Sequence, residues 1–165
     1  MLTLLFDFTD PNQAIAWHPI DDRVMGGISR SSLRRDPAGH AVFEGTVSLE
    51  QKGGFASVRS IPGELGLAGA EACLIELRGD NKQFKLSLLT DDGFDSLNYQ
   101  ASFTPKGNDW QTLHLALADF RATFRGREVT DATSLDPARI RQVGLMIAAR
   151  QADYFELHIR RICLG

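Results

Sequence analysis

The sequence has few cysteines, no long apolar run and no block of charges of one sign. Its 165 residues include two cysteines, and 18 basic residues against 21 acidic ones give a formal net charge of -3. The longest apolar stretch, residues 143–149, is far shorter than the roughly 20 residues that a membrane-spanning helix needs. No basic stripe is present that would bind a phosphate backbone. We therefore expect neither a transmembrane segment nor a nucleic-acid partner.

The amino-terminal residues, MLTLLFDF, also lack the features of a targeting segment. A secretory signal needs a basic opening, an extended apolar core and a small-residue cleavage site, and a transit peptide is rich in arginine. This predicts a cytoplasmic protein. Because cysteines remain reduced in that compartment, we expect Cys73 and Cys163 to be small buried side chains without a disulfide between them.

Short runs of Val, Ile, Leu, Phe and Thr alternate with clusters of Gly, Pro, Asn and Asp, which is typical of many short strands. Within the run 72–78, the apolar side chains of Cys73, Ile75 and Leu77 fall on one face. Two facing sheets would bury such stripes. Ten strands are predicted, at residues 2–8, 29–35, 41–48, 55–61, 72–78, 83–90, 98–104, 110–115, 143–148 and 154–162. The pattern predicts an all-β sandwich of two antiparallel sheets.

Helix should be scarce. Asp10 and Asp136 are each followed by proline, which places a capping residue before a proline at the first helical position. They predict short helices over residues 12–17 and 138–142. The first and last strands are both strongly apolar, so we expect them to pair or to lie close together. No linker or internal repeat divides the chain, which predicts one domain over residues 1–165.

The most unusual segment is WHPIDDRVMGGIS, which begins at Trp17. Gly26 and Gly27 allow a close backbone approach that a side chain would block. Asp21 and Asp22 can accept backbone N–H bonds or pair with the arginine that follows them. A tight loop packed over one end of the sandwich explains the segment, and so does a functional surface.

A second glycine pair, Gly53 and Gly54, leads into a strand on which Phe55, Ser57 and Arg59 share one face. An aromatic ring, a hydroxyl and a guanidinium in a row are features of a groove that binds a sugar or a peptide. A solvated outer face, with the arginine paired to a carboxylate, explains the same residues equally well.

These two segments resemble the paired signature of the complex I intermediate-associated protein 30 family. The matching stretches are DDRVMGGIS at 21–29 and GGFASVR at 53–59, and LRGD at 77–80, YQASF at 99–103 and Trp110 follow in the family's order. The resemblance covers nearly the whole chain. It implies a galactose-binding-like jelly roll, similar to some carbohydrate-binding modules. For the mitochondrial members it implies an assembly factor for respiratory NADH:ubiquinone oxidoreductase, and the lack of a transit peptide fits a bacterial stand-alone member.

The family signature marks a candidate binding surface. Its residues are Asp21, Asp22, Arg23, Met25, Gly26, Gly27, Ser29, Gly53, Gly54, Phe55, Ser57, Arg59, Arg78, Gly79, Asp80 and Tyr99. We expect the first glycine pair to pack beside the second, so that the two segments form one surface on which Asp21 or Asp22 is the partner of Arg59.

The function that this surface implies is non-catalytic binding. We expect a protein-binding, chaperone-like factor that assembles or stabilises a larger complex, with subunits or intermediates of a membrane respiratory complex as its partners. The alternative is a carbohydrate-binding module that uses aromatic residues such as Phe55, Tyr99 and Trp110.

Catalytic and metal-binding patterns are weak. The four histidines are scattered and have no metal-ligand spacing, and no nucleophile elbow is present. The acidic stretch from Asp91 to Asp95 lacks the spacing of a calcium loop and predicts a hairpin turn. We expect neither a metal nor a cofactor.

Overall fold

The computed structural model describes residues 2–20, 29–49, 55–79, 81–93, 97–124, 127–147, 151 and 153–165. These residues form thirteen strands: β1 (Thr3–Asp7), β2 (Trp17–Pro19), β3 (Arg30–Asp36), β4 (His40–Val47), β5 (Ala56–Ser60), β6 (Ala72–Arg78), β7 (Phe84–Leu89), β8 (Asn98–Phe103), β9 (Gln111–Ala116), β10 (Arg121–Phe124), β11 (Arg127–Glu128), β12 (Gln142–Ile147) and β13 (Asp153–Leu164). The helices among them are short 3-10 turns at Ala14–Ala16, Leu117–Asp119 and Pro137–Arg139. In this part of the chain, no helix has the length and apolar character that crossing a bilayer requires.

The strands form two antiparallel sheets, as the alternation predicts. The first sheet has the order β3-β4-β13-β6-β9, and β1 also pairs with β13. The second sheet has the order β11-β10-β8-β7-β12-β5-β2. Thr3 of β1 lies opposite Leu164 of β13, so the expected pairing of the first and last strands is confirmed.

The core lies between the inner faces of the two sheets. Phe43 and Phe155 of the first sheet each meet Phe84 of the second edge-to-face, with ring centroids 6.2 Å apart, and their own centroids lie 4.9 Å from each other. Such pairs are favoured over flat stacking because the positive edge of one ring meets the negative face of another. The predicted stripe also faces inward, and Ile75 and Leu77 are fully buried. Aromatic contacts therefore join the two layers.

The ten predicted strands are all present, with ends within two residues of the predicted ones. The strands that the pattern missed, β2, β10 and β11, have two to four residues each and lie at the edges of the second sheet. Each of the two predicted short helices is present as a single 3-10 turn that is shorter than the predicted range. Asp136 does cap its turn, accepting from Ala138 N at 3.0 Å. Asp10 accepts from Asn12 N at 2.9 Å, but the residue that caps Ala14–Ala16 is Gln13, without a side-chain bond. Each segment makes only a short turn because a strand begins at Trp17 or Gln142.

A β-bulge in β13 changes which side chains face outward. The pairing register of β13 with β6 shifts between Ile159 and Arg161. Ile159 faces the core before the shift, and Ile162 and Leu164 face it afterwards. Because a bulge inserts one unpaired residue, both Arg160 and Arg161 lie on the outer face of the first sheet.

The two cysteines lie on neighbouring strands but point in opposite directions. Cys73 pairs with Leu164, and Cys163 pairs with Leu74. Cys73 is therefore in the core, whereas Cys163 lies on the outer face. A disulfide needs Cβ atoms that point towards each other, so this geometry excludes a bridge between them. Burial raises the pKa of the Cys73 thiol to about 12.

Candidate binding surface

A row of side chains crosses the outer face of the second sheet at the level of Arg59. Residues that lie directly opposite each other on antiparallel strands project from the same face. From β2 to β10, the paired residues are His18, Arg59, Gly144, Ser87, Gln100 and Arg121. The neighbours Val58, Leu88 and Leu145 are buried in the core, so these six residues, the Arg59 row, face outward.

Gly144 has no side chain and so leaves a gap in the middle of this row, called the groove below; Gly144 and Ser87, which form its floor, are themselves buried. A Cβ on Gly144 would lie 3.4 Å from the carbonyl oxygen of Val58 and 3.5 Å from Cβ of Ser87. Those are ordinary contacts, so packing does not require glycine here. Gln100 Nε2 donates to Ser87 Oγ at 3.0 Å, which holds the amide against the far side of the groove. Gly144 and Ser87, which form the floor of the groove, are shorter than Arg59 and Gln100 on either side.

Arg59 is half-buried on one side of this groove. Burial lowers the pKa of Arg59, and the carboxylate of Asp91 acts in the opposite direction. An arginine stays charged even so, because its intrinsic pKa is very high. A partly desolvated guanidinium attracts a carboxylate or amide more strongly than a fully hydrated one does. The Arg59 side chain is therefore suited to contact a partner.

Hydrogen bonds tie the flanks of the first signature segment to the flanks of the second. Ile20 N donates to the carbonyl oxygen of Ser57 at 2.7 Å, and Ser57 Oγ donates to the carbonyl oxygen of Ile20. Ser31 Oγ also donates to the carbonyl oxygen of Ser57, at 3.1 Å. Ser29 Oγ accepts from Ser48 N at 2.9 Å. Residues at both ends of the first segment therefore lie beside the second segment or the residues just before it.

The remaining predicted site residues lie in different places. Outside the described residues are Asp21, Asp22, Arg23, Met25, Gly26, Gly27, Gly53, Gly54 and Asp80, together with the predicted packing of the two glycine pairs. Phe55 directly precedes β5. Arg78 and Gly79 lie at the end of β6 in the first sheet. Tyr99 is a core residue, with 6% of its surface exposed and its hydroxyl donating to the carbonyl oxygen of Thr133 at 2.8 Å.

The aromatic residues proposed for sugar stacking are not on the Arg59 row. The six residues of the row include no phenyl or indole ring. Tyr99 packs in the core. Trp110 directly precedes β9 of the first sheet, with Arg160 over its ring face at 3.9 Å and His40 against it at 5.1 Å. Neither Tyr99 nor Trp110 offers a free ring face beside Arg59.

The fold joins two histidines that the sequence leaves 118 residues apart. His40 Nε2 lies 2.7 Å from His158 Nδ1, and His158 Nε2 lies 2.5 Å from Glu156 Oε1. The Tyr154 hydroxyl lies 2.8 Å from Glu156 Oε2 and 2.9 Å from Glu44 Oε2, so the two carboxylates share its single proton. Sequence reasoning missed this cluster because no local spacing signals a contact across strands.

The pKa shifts within this cluster follow from its contacts. Burial, and then the neighbouring His158, lower the pKa of His40. Hydrogen bonds from Tyr154 and His158 lower the pKa of Glu156. Burial raises the pKa of Tyr154, and its bonds to the two carboxylates raise it further. At neutral pH the cluster therefore holds an ionised Glu156 beside a neutral His40.

Metal binding has no support in the described ranges. In that part of the chain, no group of three or more His, Cys, Asp or Glu side chains is placed to hold an ion. Asp91 Oδ1 accepts from Gly93 N at 2.9 Å, and Asp92 pairs with Arg141 at 2.8 Å. The turn from Asp91 to Gly93 lies at the start of the acidic stretch 91–95, for which the sequence predicts a hairpin turn.

Solved structures with the same fold include several carbohydrate-binding proteins. A family 11 carbohydrate-binding module from Clostridium thermocellum, in complex with a β-1,3-1,4-mixed-linked tetrasaccharide, has a TM-score of 0.71 and 15% identity, over 99% of this chain and 94% of that one. The family 11 module of the cellulosomal cellulase Lic26A-Cel5E of the same organism has a TM-score of 0.69 and 16% identity, over the same shares of the two chains. An agarase, AgWH50C, has a TM-score of 0.64 and 13% identity over 99% of this chain and 24% of its own. These likenesses confirm the jelly-roll fold.

Two sequence comparisons assign the chain to a family. An uncharacterized protein of Schizosaccharomyces pombe is 30% identical over 171 residues, which cover 88% of this chain and 78% of that protein. Residues 6–159 match the family described as Complex I intermediate-associated protein 30. The matched residues include β5, which carries Ser57 and Arg59, and β6, which ends at Arg78. The chain belongs to the complex I intermediate-associated protein 30 family.

Proposed function

We propose that this protein is a non-catalytic binding module that helps to assemble or stabilise a larger protein complex, with the Arg59 row as its contact surface. One observation carries the proposal: the signature residue Arg59 lies half-buried on the outer face of the second sheet, opposite Gly144. Side chains that served the core alone would point inward. The family's name makes subunits or intermediates of a respiratory complex the first partners to test, and the cytoplasm is the proposed location.

The shape and charge of the groove favour an extended peptide segment as the bound element. Because Gly144 has no side chain, a partner backbone can approach the sheet between Arg59 and Gln100. Gln100 and Arg59 supply N–H groups along the groove, and a half-buried arginine is a frequent hot spot in protein interfaces. A peptide that carries carbonyl and carboxylate oxygens complements this surface.

Carbohydrate binding is the second candidate function. Its support is the shared fold, since one of the similar modules was solved with a tetrasaccharide. Small-molecule sites are lined predominantly by hydrophobic and aromatic side chains, and the Arg59 row includes neither a phenyl nor an indole ring. This composition favours a protein partner over a sugar chain.

Affinity purification from the native host would test the proposal with variants of the groove. Gly144→Val places a branched side chain on the groove floor, and Arg59→Ala removes the charged wall. We expect each to lower recovery of respiratory-complex subunits by about tenfold or more, the effect of losing one hot spot. Arg34→Ala, which removes a cation from the first sheet, is the matched control and should recover the partners of the parent protein.

Folding of each variant is checked by its melting temperature, so that lost recovery reports lost contact. Equal recovery by Gly144→Val and the parent would refute the groove as the contact surface. Retention on mixed-linked β-glucan resin that disappears in Gly144→Val would establish the carbohydrate alternative.

A further inference from the structure

A second pocket opens on the outer face of the first sheet, on the opposite side of the sandwich from the Arg59 row. It has a volume of about 350 Å³, which is at the small end of the range for ligand sites. Its lining residues are Arg78, Gly79, Asn108, Tyr154, Glu156 and His158. Two of them, Arg78 and Gly79, belong to the family signature. This cavity, the Arg78 pocket, combines a cation, an acid and an imidazole.

Arg78 has no carboxylate partner in the part of the chain that the structure describes. Its Nε is buried and makes no hydrogen bond there. Other arginines on the same face do have carboxylate partners; they are Arg34, Arg160 and Arg161. A positive charge that no neighbouring carboxylate neutralises attracts an anion into the pocket. The pocket therefore presents an unsatisfied cation to a ligand.

Trp110 orients the Arg78 guanidinium. The centre of that guanidinium lies 5.4 Å from the Trp110 ring centroid, and the Arg160 guanidinium lies at 3.9 Å. A cation–π contact uses the flat face of a guanidinium, so the N–H groups in its plane remain directed outward. Two parallel N–H groups of a guanidinium, which form a fork, match the two oxygens of a carboxylate.

Glu156 determines which anions fit. The Tyr154 hydroxyl and His158 Nε2 contact its two oxygens at 2.8 and 2.5 Å, which hold it in place as an ionised acid. A fixed negative charge in the same pocket repels dianions such as phosphate. It also accepts hydrogen bonds from a neutral donor. Tyr154, with 52% of its surface exposed, adds an apolar ring at the rim.

We propose that the Arg78 pocket binds a small hydroxycarboxylate, with the ligand carboxylate on the Arg78 guanidinium and a ligand hydroxyl donating to Glu156. A ligand with one negative charge pairs with Arg78 and brings no second charge that Glu156 would repel. The ligand hydroxyl donates a hydrogen bond to the Glu156 carboxylate. This site is independent of the protein-binding surface, because the two use the outer faces of different sheets.

Fluorescence of Trp110 reports on the pocket directly. In a Trp17→Phe background, Trp110 is the only tryptophan left in the chain. D-glucuronate and L-lactate are the acidic probes, and D-glucose and L-lactamide are their neutral counterparts, all at one ionic strength set with sodium chloride. We expect a saturable change for at least one acid at millimolar concentrations, with a dissociation constant at least about tenfold lower than that of its neutral counterpart.

Variants separate Arg78 from general charge effects. Arg78→Gln should weaken acid binding by about tenfold or more. Arg141→Gln makes the same change in net charge at an arginine paired with Asp92, away from the pocket, and should bind as the parent does. If Arg78→Gln does not fold, Arg78→Lys replaces it and should also weaken binding, because an ammonium lacks the fork.

The inference would be overturned if neither acid gave a saturable signal. It would also be overturned if acids and neutral counterparts bound equally, or if the folded Arg78 variant bound like the parent. Acid binding by Gly144→Val should match that of the parent, so a failure of this site and a failure of the proposed protein-binding surface are distinguishable.

Discussion

Replacing Gly45 by alanine tests how closely β3 packs against β4. A Cβ on Gly45 would lie 2.0 Å from the carbonyl oxygen of Arg30 and 2.8 Å from Cα of Ser31. Both are backbone atoms, so no side-chain rotation relieves the contact. Restoring an ordinary separation of about 3.4 Å requires the strands to move apart by about 1.4 Å from the 2.0 Å contact.

The cost of that movement can be estimated from the pairing that it disturbs. Overpacking a well-packed region costs about 1–3 kcal/mol, and a clash with backbone places this substitution at the upper end. β3 and β4 pair from Arg30 to Asp36, so the shift strains a long ladder. The preference of a strand for alanine over glycine returns only about 0.5–1 kcal/mol. We expect Gly45→Ala to lower the free energy of unfolding by about 2–3 kcal/mol.

Gly144→Ala is the matched control, because its new Cβ meets nothing closer than 3.4 Å. It should raise the free energy of unfolding by about 0.5–1 kcal/mol, because alanine is preferred over glycine inside a strand. With a urea m-value of about 2 kcal/mol/M, equilibrium unfolding should show the Gly45→Ala midpoint lower by about 1–1.5 M and the Gly144→Ala midpoint higher by up to about 0.5 M. Equal midpoints for the two variants would refute the close approach of β3 to β4.

Three further predictions concern titration, thiol reactivity and core packing. Because burial and His158 lower the pKa of His40 below its ordinary 6.5, the unfolded chain takes up this proton first as the pH falls. The His40 contribution to stability should be fully present above about pH 6.5 and decline below it by up to about 1.4 kcal/mol per pH unit; urea unfolding of His40→Gln should lack this decline, and an unchanged profile in the variant would contradict the assignment. Alkylation without reductant should modify Cys163 in the native protein and leave Cys73 unmodified until denaturant is added, since Cys73 is fully buried; equal labelling of both by mass spectrometry would argue against that burial. Trp17 Nε1 is buried and makes no hydrogen bond among the described residues, so Trp17→Phe should cost less than the roughly 3–5 kcal/mol of a large-to-alanine core change; a loss in that range on urea unfolding would show that Trp17 Nε1 has a partner.

Local sequence determined most of the strands and the faces that they present. A strand alternates its side chains with a period of two whatever it pairs with. The burial of Cys73, Ile75 and Leu77 and the shared outer face of Ser57 and Arg59 could therefore be predicted from the residues alone. Of the two Asp-Pro pairs, the one at Asp136 marked a true cap and the one at Asp10 did not. Neither gave the length of its turn, because the strand that follows ends it.

Tertiary structure decided which strands meet, and therefore which side chains form a site. His40 and His158 approach because β4 pairs with β13, and no spacing along the chain reports that contact. The bulge that places Arg160 over Trp110 is likewise a property of two paired strands. Edge strands such as β2 contain too few residues for a pattern and are held by the sheet beside them. Gly144 became the floor of a groove for the same reason: its neighbours across the sheet are distant in sequence, and strand pairing is a non-local interaction.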